Sequence, residues 1–148
     1  MNSLLSPRCS TKVSRIFLFS AALLMCPCVS VFAIDPPDDK TAPYTVALGG
    51  GEPKLTGDWS TYNGNLIVGT GTGDNGKLNT AGLSLGTSAT VTVSENATLW
   101  INGKSGFSNA ITLGGGALKE SFGQLRVDNG ANVSGAITLL ANSSIGGG

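Results

Sequence analysis

The chain has 148 residues, unevenly divided: residues 1–33 hold all three cysteines, three of the nine basic residues and no glycine, whereas the remaining 115 hold all 22 glycines. That second part sets six basic against nine acidic residues, a formal charge of −3, and Gly, Asn, Thr and Ser make up 55 of its 115 positions. It contains no His, Cys or Met, which excludes thiol and imidazole chemistry; the lack of a basic surplus excludes a nucleic-acid surface, and the scarcity of helix formers a helical bundle.

The first segment reads as an address. Arg8, Lys12 and Arg15 give a positive start, residues 16–25 form an apolar run, and Val31-Phe32-Ala33 precedes the polar, proline-rich Ile34-Asp35-Pro36-Pro37. Charge, apolar core and small-x-small is the layout of a secretory signal peptide over 1–33, with cleavage expected after Ala33. The competing reading is an uncleaved anchor. The run from Ile16 to Ala33 is broken by Pro27 and is marginal against the roughly 20 residues a span needs. A lipid anchor through Cys26 meets Met25 where a small residue is required. Cys9, Cys26 and Cys28 leave with the signal, so the mature chain is expected to be exported, to the cell surface, the medium or the periplasm, without disulfides.

Residues 34–43 are rich in Pro and Asp and are expected as an extended leader. Residues 44–65 are expected as capping strands and 66–148 as a repeat segment. Short alternating runs fall at 44–48, 65–68, 83–85, 89–93, 98–101, 110–113, 124–127 and 136–140, each fenced by Gly, Asn, Asp or Ser. No long segment sustains a helical stripe. Strands at roughly 8–12-residue spacing fit a β-sandwich or a solenoid. Two echoes favour the solenoid: Ala110-Ile111-Thr112-Leu113 returns 26 positions on as Ala136-Ile137-Thr138-Leu139, and residues 93–99 are echoed 34 positions on by 127–133. Constant grammar with varying loop length suits stacked coils that cover one another's inward faces. The expected fold class is all-β, a β-helix or solenoid of a few coils, with a small β-sandwich as the alternative.

From Leu66 to Gly148 the chain resembles the repeat regions of bacterial passenger proteins built from autotransporter-associated β-strand repeats. The residues that carry the resemblance are Leu66-Ile67-Val68-Gly69, residues 76–83, residues 97–103, residues 107–116 and Ser134-Gly135-Ala136-Ile137-Thr138-Leu139. The resemblance implies a right-handed parallel β-helix at or released from the cell surface, with no catalytic residues to carry over. Passengers of this kind are usually long. This chain stops at Ser144-Ile145-Gly146-Gly147-Gly148, inside what reads as another coil, so a fragment of three or four coils from Leu66 is expected, at about 20–30 residues each. An uncapped last coil would allow end-to-end self-association.

Several motifs invite a sharper reading. Gly71-Thr72-Gly73-Asp74-Asn75-Gly76-Lys77 matches the spacing of a dinucleotide or phosphate loop, but both mechanisms require a helix N-terminus after the glycines, and residues 77–82 offer none; no nucleotide is expected. Asp74 lacks the second copy that a calcium-binding nonapeptide coil needs, and Asp35, Asp38 and Asp39 read as a solvated cluster. Glycan cleavage requires paired carboxylates or a base with a metal. The repeat region scatters Asp74, Glu95, Glu120 and Asp128 among Lys77, Lys104, Lys119 and Arg126; if 110–113 and 125–127 are neighbouring strands, Lys119, Glu120 and Arg126 approach one another, a cluster that an exposed ion pair explains more simply. No catalytic, cofactor or metal residues are assigned, and no enzyme activity is expected.

Two functional classes remain: a structural stalk or surface-layer segment, and an adhesin-like module that contacts an extracellular glycan or another cell-surface protein. For the second, Trp59, Tyr62 and Trp100 are the candidate contact residues, weighed against the commoner role of such rings in packing.

Overall fold

In a computed structural model, residues 32–148 are described except 72, 104, 105 and 117–120; the expected signal peptide lies outside the described residues apart from Phe32 and Ala33. The chain order is β1 (Ala33–Ile34), β2 (Tyr44–Val46), β3 (Lys54–Leu55), β4 (Asn65–Val68), β5 (Gly76–Asn79), β6 (Thr90–Val93) and β7 (Ala97–Asn102). Then follow β8 (Gly106–Phe107), β9 (Ala110–Leu113), β10 (Leu125–Asp128), β11 (Asn132–Val133), β12 (Ile137–Leu139) and β13 (Ile145–Gly146). No helix occurs among the described residues.

Successive strands fall into different sheets. The first sheet has the order β1-β3-β5-β7-β10-β13, the second β2-β4-β6-β9-β12, and β8 and β11 form a small third one. Every pairing is parallel. An immunoglobulin-type sandwich pairs its strands antiparallel, so that alternative is set aside. The molecule is a parallel β-solenoid of about five turns.

The register runs Tyr44, Leu66, Val91, Ile111 and Ile137 along the second sheet, and Leu78, Leu99, Leu125 and Ile145 along the first. The 26-residue echo of 110–113 in 136–139 is thus a true coil period. The 34-residue echo is not. Val127 pairs with Ile101, 26 positions earlier, so similarity between 93–99 and 127–133 reflects shared turn grammar rather than register.

Alternation drives this arrangement. In β4, β6 and β9 every second side chain is buried, and Leu66, Val68, Val91, Val93, Ile111 and Leu113 form an apolar column inside the coils. Leu78, Leu99 and Leu125 face them from the other sheet and are fully buried. Burying each such side chain contributes about 1.5–3 kcal/mol.

The stack begins earlier than the sequence indicates. The expected leader and capping strands are themselves coils, since β1 pairs with β3 and β2 with β4 in the sheets that run on through the molecule. Trp59 and Tyr62 fill the interior here, with ring centroids 5.4 Å apart in an edge-on arrangement. Tyr62 donates its hydroxyl to the Ala42 carbonyl at 3.0 Å and Trp59 its indole N–H to the Thr56 carbonyl at 2.8 Å. A Cβ at Gly64 would overlap the Ala42 oxygen, so the plug needs glycine there. One expected strand, 83–85, is absent: Ala81 and Gly82 take positive φ, Leu83 closes a turn onto Thr80, and Leu85 enters the core from irregular backbone. At the far end β12 and β13 pair on one side only, and Ile137, Leu139, Leu140 and Ile145 are exposed.

Truncating Trp59 to Ala should cost about 3–5 kcal/mol and Leu99 to Ala about 2–5 kcal/mol, whereas T138A on the exposed face should stay within about 0.5 kcal/mol. Urea unfolding of the three variants followed by circular dichroism checks this ranking.

Candidate functional site

The carboxylates hold corners. Asp74 accepts from the backbone N–H of Leu48 (3.0 Å), Gly49 (2.7 Å) and Thr70 (2.9 Å) and from the Thr70 hydroxyl (3.1 Å). It therefore ties its own turn to the turn one coil earlier, and its oxygens are committed to donors rather than to a cation. Desolvation alone would raise its pKa, but the amide donors outweigh it and hold the carboxyl below its ordinary value. Asp39 does the same locally, accepting from Thr41 and Ala42 in an Asx turn. Among the described residues no group of three or more His, Cys, Asp or Glu could hold a metal ion.

Gly76-Lys77, the end of the glycine-rich match, opens strand β5, so the helix N-terminus that phosphate recognition would use is replaced by extended chain.

A second polar cluster surrounds Trp100. Its indole N–H donates to Asp128 at 2.9 Å, the Arg126 guanidinium lies 4.5 Å from its ring centroid, and the Lys77 ammonium lies 5.0 Å away. Arg126 also donates to Asp128 at 2.5 Å and stacks 4.3 Å from the Phe122 ring. For Asp128, desolvation is again outweighed, by the Gly148 amide, Arg126 and Trp100, and its pKa is lowered. The condition under which Lys119, Glu120 and Arg126 were expected to approach is not met, since β9 and β10 lie in different sheets; Lys119 and Glu120 are outside the described residues.

The candidate glycan contacts are therefore not brought together. Trp59 is 1% exposed and Tyr62 0%, which makes both core residues and corrects their reading as surface contacts. Trp100 is half-buried on the outer side of the first sheet, between cationic side chains.

A different site emerges where the chain turns from the second sheet into the first. These corners are 47–53, 69–75, 94–96, 114–124 and 140–144, and the first three run from two long ones to the shortest, 94–96. The surface dips there into an open groove of about 340 Å³. Its floor and walls are the Gly50-Gly51 turn, Glu52, Asn75, Lys77, Asn96 and Thr98, with Gly76 between them. A Cβ at Gly76 would stand 2.7 Å from the Gly51 oxygen, so glycine is needed for the two turns to nest. Glu52 and Lys77 form an ion pair at 3.2 Å. Pairing of Lys54 with Asn79 and of Lys77 with Thr98 sets Glu52, Lys77 and Thr98 in one column across three coils. Sequence reading missed this site because these residues stand 25 and 21 positions apart, and only the register makes them neighbours.

No family model, curated protein or solved structure matches the chain.

Because Asp74 has a lowered pKa in the folded chain, its stabilisation is complete above the unfolded value, 3.8, and is lost as pH falls through the lower folded one. D74N should lower stability at neutral pH by about 1–3 kcal/mol, the loss expected for hydrogen bonds to a charged acceptor, and should flatten the acid limb of the stability–pH curve. Urea midpoints of both proteins across pH 3 to 7 provide the check; an acid limb of equal steepness in both would contradict the clamp.

Proposed function

We propose that this chain is an exported, non-catalytic β-solenoid that acts as a structural stalk or surface-layer segment of a passenger-like protein. The observation that carries the reading is the use made of its polar side chains. Asp128, Asn109 and Gln124, which are buried, and the half-buried Asp74 are each committed to holding backbone or a neighbouring coil. Buried carboxylates and amides used in this way make a rigid rod rather than a reactive cleft.

Export rests on the charge, apolar run and small-x-small layout of residues 1–33. That boundary falls inside β1, between Ala33 and Ile34. Cleavage after Ala33 would remove the bond from the Lys54 N–H to the Phe32 carbonyl and keep the one from the Thr56 N–H to the Ile34 carbonyl. The mature chain would then begin at Ile34, which packs against the core. On this reading the partners are an extracellular glycan or another surface protein, or a further coil at the open edges of β12 and β13. The adhesin-like reading is favoured by one specific observation, the groove at Lys77.

Expressed in its native host, the protein should be recovered outside the cytoplasm, and N-terminal sequencing should begin Ile34-Asp35-Pro36-Pro37. A cytoplasmic product that retains Met1 or Asn2 at its start would overturn the export reading.

A further inference from the structure

We propose that the groove across the corners at Glu52, Lys77 and Thr98 is a binding site for an uncharged, hydroxyl-rich ligand of one or two sugar units. It is distinct from the three aromatic residues that sequence reading singled out.

Chemistry narrows the ligand class. An anion site on backbone needs a surplus of N–H donors or cations, as at a helix N-terminus or nest. A hard cation needs several converging oxygens. The groove has neither surplus, because the Glu52 carboxylate and Lys77 ammonium stand 3.2 Å apart and cancel. Its other accessible side chains are the amides of Asn75 and Asn96; the Thr98 hydroxyl beneath them is buried and donates to the Gly123 carbonyl. Each amide offers both a donor and an acceptor beside the Glu52–Lys77 pair. Vicinal hydroxyls, each both donor and acceptor, complement that pattern, and an apolar molecule would leave it unpaired.

Size and rigidity agree. The volume, about 340 Å³, is at the lower end of small-molecule sites. Three successive coils line it, through the 50–52 turn, β5 and β7, so its length along the solenoid is about 10 Å at the usual strand spacing. Both walls are held in place. Asp74 fixes the turn at Leu48 and Gly49, the Lys77 N–H donates to the Gly51 carbonyl at 3.0 Å, and the Asn96 N–H to the Gly115 carbonyl at 3.1 Å. The Trp100 ring beneath the Lys77 ammonium, 5.0 Å from it, orients the cation toward its place beside Glu52. A preformed polar groove of this kind loses little entropy on binding.

The test uses the purified full chain and so does not depend on the export reading. Cellobiose and N,N′-diacetylchitobiose are titrated while backbone amide NMR shifts are followed, with digalacturonate and inorganic phosphate as charged comparisons. At least one neutral disaccharide should shift the amides of Gly50, Gly51, Asn75 and Asn96 saturably. E52Q and N75L should each weaken that binding about tenfold, the loss of one hydrogen bond to a charged or buried group. Glu52 and Asn75 are both at the surface of the fold, and unchanged shifts at Val91, Ile111 and Leu125 would report that each variant keeps its coils. Absence of saturable shifts with both neutral sugars, a preference for digalacturonate or phosphate, or equal affinity in E52Q and N75L would each overturn the assignment.

Discussion

A parallel coil cannot cover its own inward face, and everything else in this molecule follows from that. Leu78, Leu99 and Leu125 are dry only because the coil before and the coil after lie on them in register. Backbone hydrogen bonds run along the same axis, so apolar burial and strand pairing reinforce each other at every step of the stack. Interior positions must then be apolar and of similar size. Aromatic rings enter this interior at Trp59 and Tyr62 in the first coils and at Phe107 further on.

Corners are where such a fold must satisfy backbone groups without a ladder, and this chain does it with short polar side chains. Asp74 reaches back one coil to the amides of Leu48 and Gly49 and accepts a third from Thr70 in its own turn. Gln124 donates to the Ser94 and Gly115 carbonyls and accepts from the Gly115 amide, and Asn109 donates to Gly86 and Ala89. Left without these partners, the same backbone groups would cost about 1–3 kcal/mol each. The abundance of Asn, Asp and Gly in the sequence is therefore a structural requirement of sharp corners, reinforced by positive φ at Asn96, Asn129 and many glycines.

Period-two runs made most strands legible: 65–68, 110–113 and 136–140 all reappear in the second sheet at close to the expected bounds. Strand β5 was hidden because Gly76-Lys77-Leu78-Asn79 carries a glycine and only one buried aliphatic residue, a poor strand signal outside its sheet. β3 was hidden behind Pro53. The aromatic residues misled in the opposite direction: three rings in a polar sequence suggest a sugar platform, whereas two of them are consumed in packing. The groove was illegible because coil length varies. Register partners of the first sheet lie 25, 21 and 26 positions apart, so no fixed period in the sequence aligns Glu52, Lys77 and Thr98.

That variation in coil length links architecture to function. The second sheet is built from YTV, NLIV, TVTV, AITL and ITL, with no charged residue on any strand. Length differences are absorbed outside the strands, and the charged side chains Glu52, Lys77, Arg126 and Asp128 gather at the first sheet and its entry corners. A solenoid can lengthen a corner without disturbing its core, because the inward column depends only on the strands. The long corners 47–53 and 69–75 stand beside the short one, 94–96, and a depression runs across all three. Here that depression falls where Lys77 and Glu52 already face each other and where Asp74 has made the neighbouring turn rigid. The same carboxylate that closes a corner of the solenoid thus also fixes the turn that walls the groove, so one side chain serves both the stack and the shape of its surface.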